Sequence, residues 1–303
     1  MDIQRALSEL ERHGIHPLSE LKAVEKGLRN QVYDVDTERG RSILKLYDSP
    51  VRAENECSAL RLLHENGIPV PRLIYPGEPS VPPSFILLEH LDYPLLGEIK
   101  CSDPSYRKGV EHAARLLAKI HKIKGFTAGP LAGDGREGTL FEQALPDPAL
   151  LERAKSIEYY GALMRLFRDL EGRDAVREKL NGRDSFDLVH GDYHDGQLLA
   201  DPATGEIVAL IDLESSRFGD RHSDCPQSFR FKKIPQETKG EWRKLFLELY
   251  SEEYGEGIDP EIARFYEESK LLELGIRSHV EKKEWMKPYE GKLRMLLEKY
   301  GFL

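Results

Sequence analysis

Two short apolar runs in the second half of the chain each lead into a polar cluster that contains an aspartate. Leu188 and Val189 precede Asp192, and the run 209–211 precedes Asp212. An apolar run bounded by polar residues and glycine is typical of a buried strand. An acidic group at the end of such a strand is costly unless it binds a cation or takes up a proton. The pattern therefore predicts that two neighbouring strands end at one site of charge chemistry.

The spacing of the polar residues indicates which kind of reaction the site could catalyse. Gln197 carries an amide and follows Asp192 by five positions, and Asp212 comes twenty positions after Asp192, behind a predicted turn at 201–206. ATP-dependent kinases have the same order: a base aspartate, an amide metal ligand five residues later, and a second metal-binding aspartate after a hairpin.

Three segments resemble the motifs of a known family. Residues 190–197 resemble the H-G-D-x-H-x-x-N motif of the aminoglycoside phosphotransferase and choline kinase family, 211–214 resemble its I-D-W-E, and 218–224 resemble its G-D-P-x-x-D. The resemblance extends from about residue 18 to about residue 260. It implies an ATP-dependent kinase, or as an alternative a GTP-dependent one, that transfers a phosphoryl group to a hydroxyl of a small polar molecule with Mg²⁺.

The order of predicted elements is that of an α+β protein. The resemblance implies a bilobal, protein-kinase-like fold, with a β-rich nucleotide-binding lobe at 1–91 and a helical catalytic and acceptor-binding lobe at 92–303. Apolar alternation predicts strand-like segments at 21–26, 31–36 and 42–47 and a buried strand at 85–89, and Pro69 and Pro71 bracket an extended turn that leads into 72–75. Helical periodicity predicts helices at 2–13, 50–66, 105–122, 149–170, 237–254, 260–282 and 284–299.

Several residues of the first lobe are expected to bind the nucleotide. The segment 27–33, which includes Gly27 and Asn30, joins two predicted strands, and its backbone N–H groups are expected to donate to phosphate. Lys45 lies in the alternation Ile43–Tyr47 and is expected to contact the phosphates. The resemblance implies that Glu56 is its ion-pair partner, with Glu54 as the alternative. Residues 90–94, which follow the strand 85–89, are the predicted hinge, and Glu89 and Leu91 are expected to border the nucleotide.

The second lobe supplies the predicted catalytic groups. Asp192 is expected to accept or orient the proton of the attacking hydroxyl. Gln197 and Asp212 are expected to ligate Mg²⁺ through oxygen, which this cation prefers. His190 and His194 are expected to hold the catalytic loop by hydrogen bonds, and Asp224 is expected to be a helix N-cap or a brace for that loop.

Gln197 departs from the family pattern, which usually has asparagine at this position. Two interpretations remain open. The longer side chain means either a lost metal site in a catalytically weak, nucleotide-binding pseudokinase, or a site built for glutamine. The form H-G-D-x-H-x-G-Q is also that of the maltokinase and glucosamine kinase branch, which favours a sugar or amino-sugar acceptor.

The acceptor is predicted to be a small molecule: an aminoglycoside, an amino sugar, a sugar or an amino alcohol. A protein substrate is disfavoured, because the H-G-D segment lacks the arginine of H-R-D and Gly219 follows Asp212 by only seven positions. The candidates for acceptor contacts are Glu214, the helix around Tyr254 and Asp259, Tyr266, and the segment from Ser278 to Trp285.

Composition sets the remaining limits. The net charge of −9 argues against nucleic-acid binding, which needs a basic face, and permits a cationic acceptor. Three scattered cysteines without C-x-x-C spacing indicate reduced thiols in the cytoplasm. No run approaches the ~20 apolar residues of a membrane span. We expect a monomer or a weak dimer.

Overall fold

The N-terminal part of the chain forms an antiparallel sheet with one helix packed on each face. Side chains alternate between the two faces along each strand, so both faces carry apolar residues that a helix can cover. The computed structural model describes residues 3–24, 30–38, 40–77, 84–134, 137–225, 234–235, 237–282 and 286–303. In this part of the chain the sheet has the order β1-β2-β3-β5-β4. Its strands are β1 (Lys22–Ala23), β2 (Gln31–Thr37), β3 (Gly40–Tyr47), β4 (Leu73–Tyr75) and β5 (Ser84–Glu89).

The two faces of β3 bury different side chains. Leu44 and Leu46 pack with Ala6 and Leu10 of α1 (Ile3–Arg12) on one face. Tyr47 points to the other face and packs against α2 (Pro50–Glu65). Because side chains alternate along a strand, Lys45 points to the α2 face as well. The predicted hairpin is confirmed, since β2 pairs with β3 in antiparallel register. Its turn residue Arg39 lies outside the described residues.

The rest of the chain is mostly helical, as predicted for this fold class. Its core contains one cluster of buried residues beneath α3 and another around α9. The described helices are α3 (Pro104–His121), α4 (Leu140–Ala144), α5 (Pro148–Arg153), α6 (Tyr160–Glu171), α7 (Asp174–Asn181), α8 (Lys239–Tyr254), α9 (Pro260–Glu281) and α10 (Lys287–Lys299). Each described helix is too short or too polar to cross a bilayer.

Small sheets embedded among these helices carry the motif segments. One sheet has the order β6-β8-β11-β7, and a separate hairpin pairs β9 with β10. These strands are β6 (Lys124–Gly125), β7 (Gly129–Pro130), β8 (Phe186–Val189), β9 (Leu198–Ala200), β10 (Ile207–Leu210) and β11 (Arg217–Gly219). The division of the chain at 91/92 into two lobes remains a prediction.

One predicted helix, 149–170, is wrong. The segment instead forms α5, a 3₁₀ turn at Ala154–Ser156 and α6. The interruption places Ile157 and Tyr159 in the same buried cluster as the flanking helices. Helices α4 and α7 were not predicted. The predicted helix 284–299 is described from Lys287 onward.

Candidate functional site

The two strand ends meet where the sequence predicts charge chemistry. The loop after β8 carries Asp192, and the loop after β10 carries Asp212. Gln197, at the start of the β9–β10 hairpin, lies between them: its Nε2 is 3.0 Å from Asp212 Oδ2 and 3.5 Å from Asp192 Oδ2. The backbone also links the loops, because the Ile211 N–H donates to the Gln197 carbonyl at 2.9 Å. The predicted catalytic and metal-binding residues therefore lie together.

Asp212 has an unusual backbone conformation. Its φ is +61°, in the left-handed region that non-glycine residues rarely adopt. Such a residue costs on the order of 1–3 kcal/mol and persists only where neighbouring contacts hold it. The contacts are Lys45 and Gln197 on its two carboxylate oxygens. Strain held in this way directs the carboxylate toward the site.

Lys45 joins the sheet to this loop. Its Nζ lies 2.7 Å from Glu56 Oε2 and 2.7 Å from Asp212 Oδ1, and its side chain is 9% exposed. The predicted contact with Glu56 is present, and the alternative partner, Glu54, is not the one used. The hydroxyl of Tyr47 also donates to Glu56 at 2.7 Å. Lys45 is thereby fixed between one carboxylate on α2 and one in the loop after β10.

The charges of this cluster stabilise one another. Burial alone would lower the pKa of Lys45, but the neighbouring carboxylates, Glu56 foremost, raise it above its ordinary value. Burial raises the pKa of Asp212, and the Lys45 ammonium more than offsets this, so that pKa lies below its ordinary value. Lys45 is therefore cationic and Asp212 anionic at neutral pH.

Glu214, one of the candidates for an acceptor contact, belongs to the same cluster. Its carboxylate accepts from the Asn30 amide and lies 4.0 Å from Lys45 Nζ. The carboxylates of Glu56, Asp212 and Glu214 have oxygens within 4.8 Å of one another. Hard oxygen donors at this spacing fit a divalent cation such as Mg²⁺. The residue type alone could not separate this role from acceptor binding.

The amide of Gln197 faces the site with its nitrogen. Its Nε2 donates to Asp212, so a cation at that carboxylate would be met by an N–H group. Because an amide carries its donor and acceptor on opposite sides, rotation about its last side-chain bond would present Oε1 instead. The side chain reaches both Asp192 and Asp212.

Asp224 holds the catalytic loop by hydrogen bonds to its backbone. It is fully buried and accepts from the backbone N–H of His190 at 2.7 Å and of Gly191 at 2.8 Å. It also contacts His121 Nε2 at 3.2 Å. Burial raises the pKa of Asp224, and the hydrogen bond with His121 and nearby positive charge bring it below its ordinary value. Of the two predicted roles, the loop brace is therefore the correct one.

The two histidines of the motif also hold backbone, as predicted. His190 Nδ1 accepts from the Asp192 N–H at 3.1 Å, so the hydrogen of the neutral ring lies on Nε2, which donates to the Ile211 carbonyl at 3.1 Å. His190 therefore connects both aspartate loops. His194 Nδ1 accepts from the Gly196 N–H at 2.9 Å and caps the turn that contains Gln197.

Asn55 is a residue that sequence reasoning missed. It is buried on α2 beside Glu56, and its Nδ2 donates to the carbonyls of Glu214 at 3.0 Å and Ser216 at 2.8 Å. Its Oδ1 accepts from the backbone N–H groups of residues 131 and 132 at 2.7 and 3.1 Å. All hydrogen-bonding groups of this amide are thus satisfied, and α2 is attached to the segment that follows Asp212.

The structure gives less information on the other three predicted nucleotide contacts, Gly27, Glu89 and Leu91. Gly27 lies outside the described residues. Glu89 ends β5 and accepts from the Arg72 N–H at 2.7 Å, so its carboxylate is engaged with the chain that precedes β4. The Leu91 carbonyl accepts from the Tyr93 N–H at 3.0 Å in the predicted hinge. Their contact with a nucleotide stays a prediction.

Three of the predicted acceptor contacts are engaged elsewhere in the structure. The Tyr254 hydroxyl lies 3.2 Å from Asp187 Oδ1 and accepts from Lys124 at 2.7 Å. Asp259 caps the N-terminus of α9 and forms an ion pair with Lys179 at 2.8 Å. Glu281 pairs with Arg277 one turn earlier on the same helix. Trp285 lies outside the described residues.

A family model covers most of the chain. Residues 20–266 match the model of the phosphotransferase enzyme family, APH. The chain belongs to this family, and it is a small-molecule kinase, that is, a phosphotransferase.

Solved structures share the fold. Choline kinase LicA from Streptococcus pneumoniae is 15% identical, with a TM-score of 0.68 over 98% of this chain and 99% of the other. A choline/ethanolamine kinase family protein from Mesorhizobium loti is 17% identical, with a TM-score of 0.66 over 97% and 93%. Aminoglycoside phosphotransferase APH(3'')-Id from Streptomyces rimosus is 20% identical, with a TM-score of 0.61 over 90% and 99%.

A curated relative is longer than this chain. Acyl-CoA dehydrogenase family member 10 of Mus musculus is 25% identical over 227 residues, which are 71% of this chain and 20% of the relative. The chain therefore spans about a fifth of that protein.

Proposed function

We propose that the protein transfers the γ-phosphoryl group of ATP to a hydroxyl of a small polar molecule. The observation that carries this proposal is the convergence of Asp192, Gln197 and Asp212 beside the Lys45–Glu56 pair. Phosphoryl transfer depends mainly on positioning and on charge neutralisation. The cluster supplies a base, a fixed cation and oxygen ligands within one site.

The nucleotide phosphates would lie against Lys45. Its ammonium is held in place by two carboxylates, so it is oriented before the nucleotide arrives. Asn30 and Gly27 belong to the segment that would cover the phosphates, and Glu89 and Leu91 would border the base. ATP is the proposed donor, with GTP as the alternative.

Asp212, Gln197 and Glu214 would hold the Mg²⁺ ion. The carboxylate oxygens of Asp212 and Glu214 suit this cation, and Lys45 beside them keeps Asp212 ionised. Gln197 would add its Oε1 after rotation of its amide. When bound, the ion neutralises the charge on the phosphate oxygens.

Asp192 would accept the proton of the acceptor. Its side chain is 36% exposed, so an acceptor can approach it, while Gln197 and His194 flank it at 3.5 and 3.8 Å. As the proton passes to the carboxylate, the acceptor oxygen bonds to the γ-phosphorus and the bond from that phosphorus to the β–γ bridging oxygen breaks. ADP leaves with the bridging oxygen, and Asp192 then releases its proton to water.

The alternative is a nucleotide-binding protein with little transfer activity. The observation that favours it is the orientation of Gln197, whose nitrogen faces Asp212. The presence of Asp192, Asp212, Lys45 and Glu56 together favours the active enzyme. The three free cysteines support the cytoplasm as its compartment.

The proposal is tested by measuring ADP release from purified protein with sugars, amino sugars, aminoglycosides and choline-like amines, with ATP and with GTP. Product formation is checked by phosphorus NMR, and Asp192→Asn is the matched control for contaminating kinases. Acceptor-dependent ADP release by the wild type alone supports the proposal. Nucleotide binding without transfer to any acceptor supports the alternative.

A further inference from the structure

A guanidinium group lies against the backbone of Gly191, the residue that precedes the proposed base. Arg217 begins β11 and is paired with Val189 of β8. Its Nη1 is 2.9 Å from the position that a Cβ on Gly191 would occupy, and Gly191 has a φ of +82°. The missing side chain of Gly191 therefore leaves room for Arg217. The H-G-D segment lacks the arginine of H-R-D, and here a neighbouring strand brings an arginine to the residue before Asp192.

Arg217 has a neutral partner. Its Nη2 donates to the Ser223 hydroxyl at 3.2 Å, and in the described part of the chain no carboxylate lies within 4.0 Å of its guanidinium. An arginine has five N–H donors in a planar fork that matches carboxylate and phosphate.

The nearby carboxylates are engaged with other groups. Asp220 contacts Arg183 at 2.6 Å and His222 at 2.7 Å. Asp224 holds His121 and two backbone N–H groups, and Arg217 acts on it only through space, by lowering its pKa. A part-buried guanidinium without a carboxylate partner is costly unless an anion binds to it. Other part-buried arginines show the usual arrangement, since Arg173 pairs with Glu268 at 2.6 Å.

The positive charge of Arg217 acts on Tyr266, an aromatic side chain of α9. Burial raises the pKa of Tyr266 well above its ordinary value and Asp220 adds to this, whereas the positive charge of Arg217 opposes it. Tyr266 was predicted as a cover for an apolar or sugar face of the acceptor. Arg217 approaches the catalytic loop at Gly191, and its charge also acts on this predicted contact.

Resting on the proposed phosphoryl transfer, we infer that Arg217 binds an anionic group of the acceptor, so that the acceptor is a hydroxyl compound that also carries a carboxylate or a phosphate. The same guanidinium would repel the ammonium groups of aminoglycosides and choline. The negative net charge of the chain permits a cationic acceptor, but Arg217 places a positive charge against the loop that carries Asp192.

The test compares compounds that share a scaffold and differ in charge. Binding to the full chain is measured by calorimetry for glucose, glucuronate, glucose 6-phosphate and glucosamine, and for glycerol, glycerate, glycerol 3-phosphate and serinol. An anionic member is expected to bind roughly 10- to 100-fold more tightly than its neutral counterpart, the range of one or two charge-assisted hydrogen bonds. The carboxylate and phosphate members show which anion fits.

Variants of Arg217 test whether this residue causes the preference for anionic compounds. Arg217→Gln should remove it, and Arg217→Lys should retain part of it because the charge stays while the fork is lost. The control, Arg168→Gln, removes an equal charge from an exposed position of α6 and should keep the preference. Thermal unfolding of each variant checks the fold.

The inference is overturned if no anionic compound binds more tightly than its neutral counterpart, or if Arg217→Gln keeps the preference. Phosphoryl transfer is measured separately with the same compounds. An anion preference that depends on Arg217 in a protein without transfer activity would contradict the proposed function and leave the anion site standing.

Discussion

Asp192 carries the proton transfer in the proposed reaction, so its carboxylate is the group to remove first. Asp192→Asn is expected to lower kcat about 10²-fold or more, the usual scale for a positioned general base, with the fold and nucleotide binding nearly intact. Asp174→Asn, on the exposed side of α7, is the control for loss of a carboxylate. Steady-state kinetics with any accepted acceptor provides the measurement. A variant with more than half of the wild-type turnover would refute this role.

Gln197 decides between the active enzyme and the pseudokinase. Gln197→Asn shortens a side chain that now reaches both aspartates, so activity is expected to fall. The measurement is turnover, together with nucleotide binding in the presence and absence of Mg²⁺. Unchanged or increased turnover in this variant, with binding that does not respond to Mg²⁺, would favour the pseudokinase.

At the scale of elements, Lys45 on β3 and Glu56 on α2 act as one unit. Lys45→Ala should weaken ATP use strongly and Glu56→Ala less so, because the glutamate acts by holding the lysine. In a double-mutant cycle the two losses should therefore be non-additive. The exposed pair Arg107 and Glu111 on α3 gives a control cycle with little effect on ATP use. Additive losses at Lys45 and Glu56 would mean that they do not act together.

Asn55 attaches α2 to the segment after Asp212. Asn55→Ala leaves buried backbone groups without partners, so we expect a loss of about 2 kcal/mol or more in the free energy of unfolding. ATP use should fall as well, because Glu56 lies next to it on the same helix. Asn66→Ala is the matched control at the end of α2, where the amide donates to the Leu62 carbonyl of its own helix. Equal losses in both variants would refute the attachment.

The elements also show which parts of the site a sequence can reveal. Asp192, Gln197 and Asp212 fall within one short stretch, so their spacing reflects local geometry and could be predicted. Asn55 and its partners are 76 to 161 residues apart in the sequence, and nothing local indicates that they meet. Arg217 meets Gly191 in the same non-local way, through pairing of β11 with β8.

The wrong prediction of a single helix at 149–170 also reflects contacts between residues far apart in the sequence. Apolar residues keep helical spacing on both sides of Ile157, so the pattern reads as one helix at 149–170. The interruption depends on burial of Ile157 and Tyr159 against other helices, which is a property of the tertiary packing.

At the scale of the whole molecule, buried carboxylates link the catalytic loop to the helical core. Asp224 connects that loop to His121 of α3, which in turn contacts Tyr250 of α8 at 2.8 Å. Its pKa in the folded state lies below 3.8, with burial opposed by His121 and nearby positive charge. A carboxyl whose pKa is lowered by folding stabilises the protein above its unfolded pKa, and this contribution is lost as the pH falls through the folded value.

Asp224→Asn should therefore be less stable than the wild type by an amount that stays constant from about pH 7 down to about pH 4 and shrinks at lower pH. Urea unfolding of both proteins across this range is the measurement. A difference that disappears well above pH 3.8, or grows on acidification, would show that Asp224 does not have the lowered pKa described above.

The short connection from Asp212 to β11 bears on how such a protein can be controlled. Protein kinases are commonly switched by a long segment after the metal-binding aspartate, which becomes ordered when it is phosphorylated. Here four residues, 213–216, span the same interval, and Asn55 holds the carbonyls of two of them. This connection has neither the length nor the freedom to move away from the site. We therefore expect the catalytic groups to be in place as soon as the chain has folded. The rate of phosphoryl transfer would then depend on the concentrations of nucleotide and acceptor.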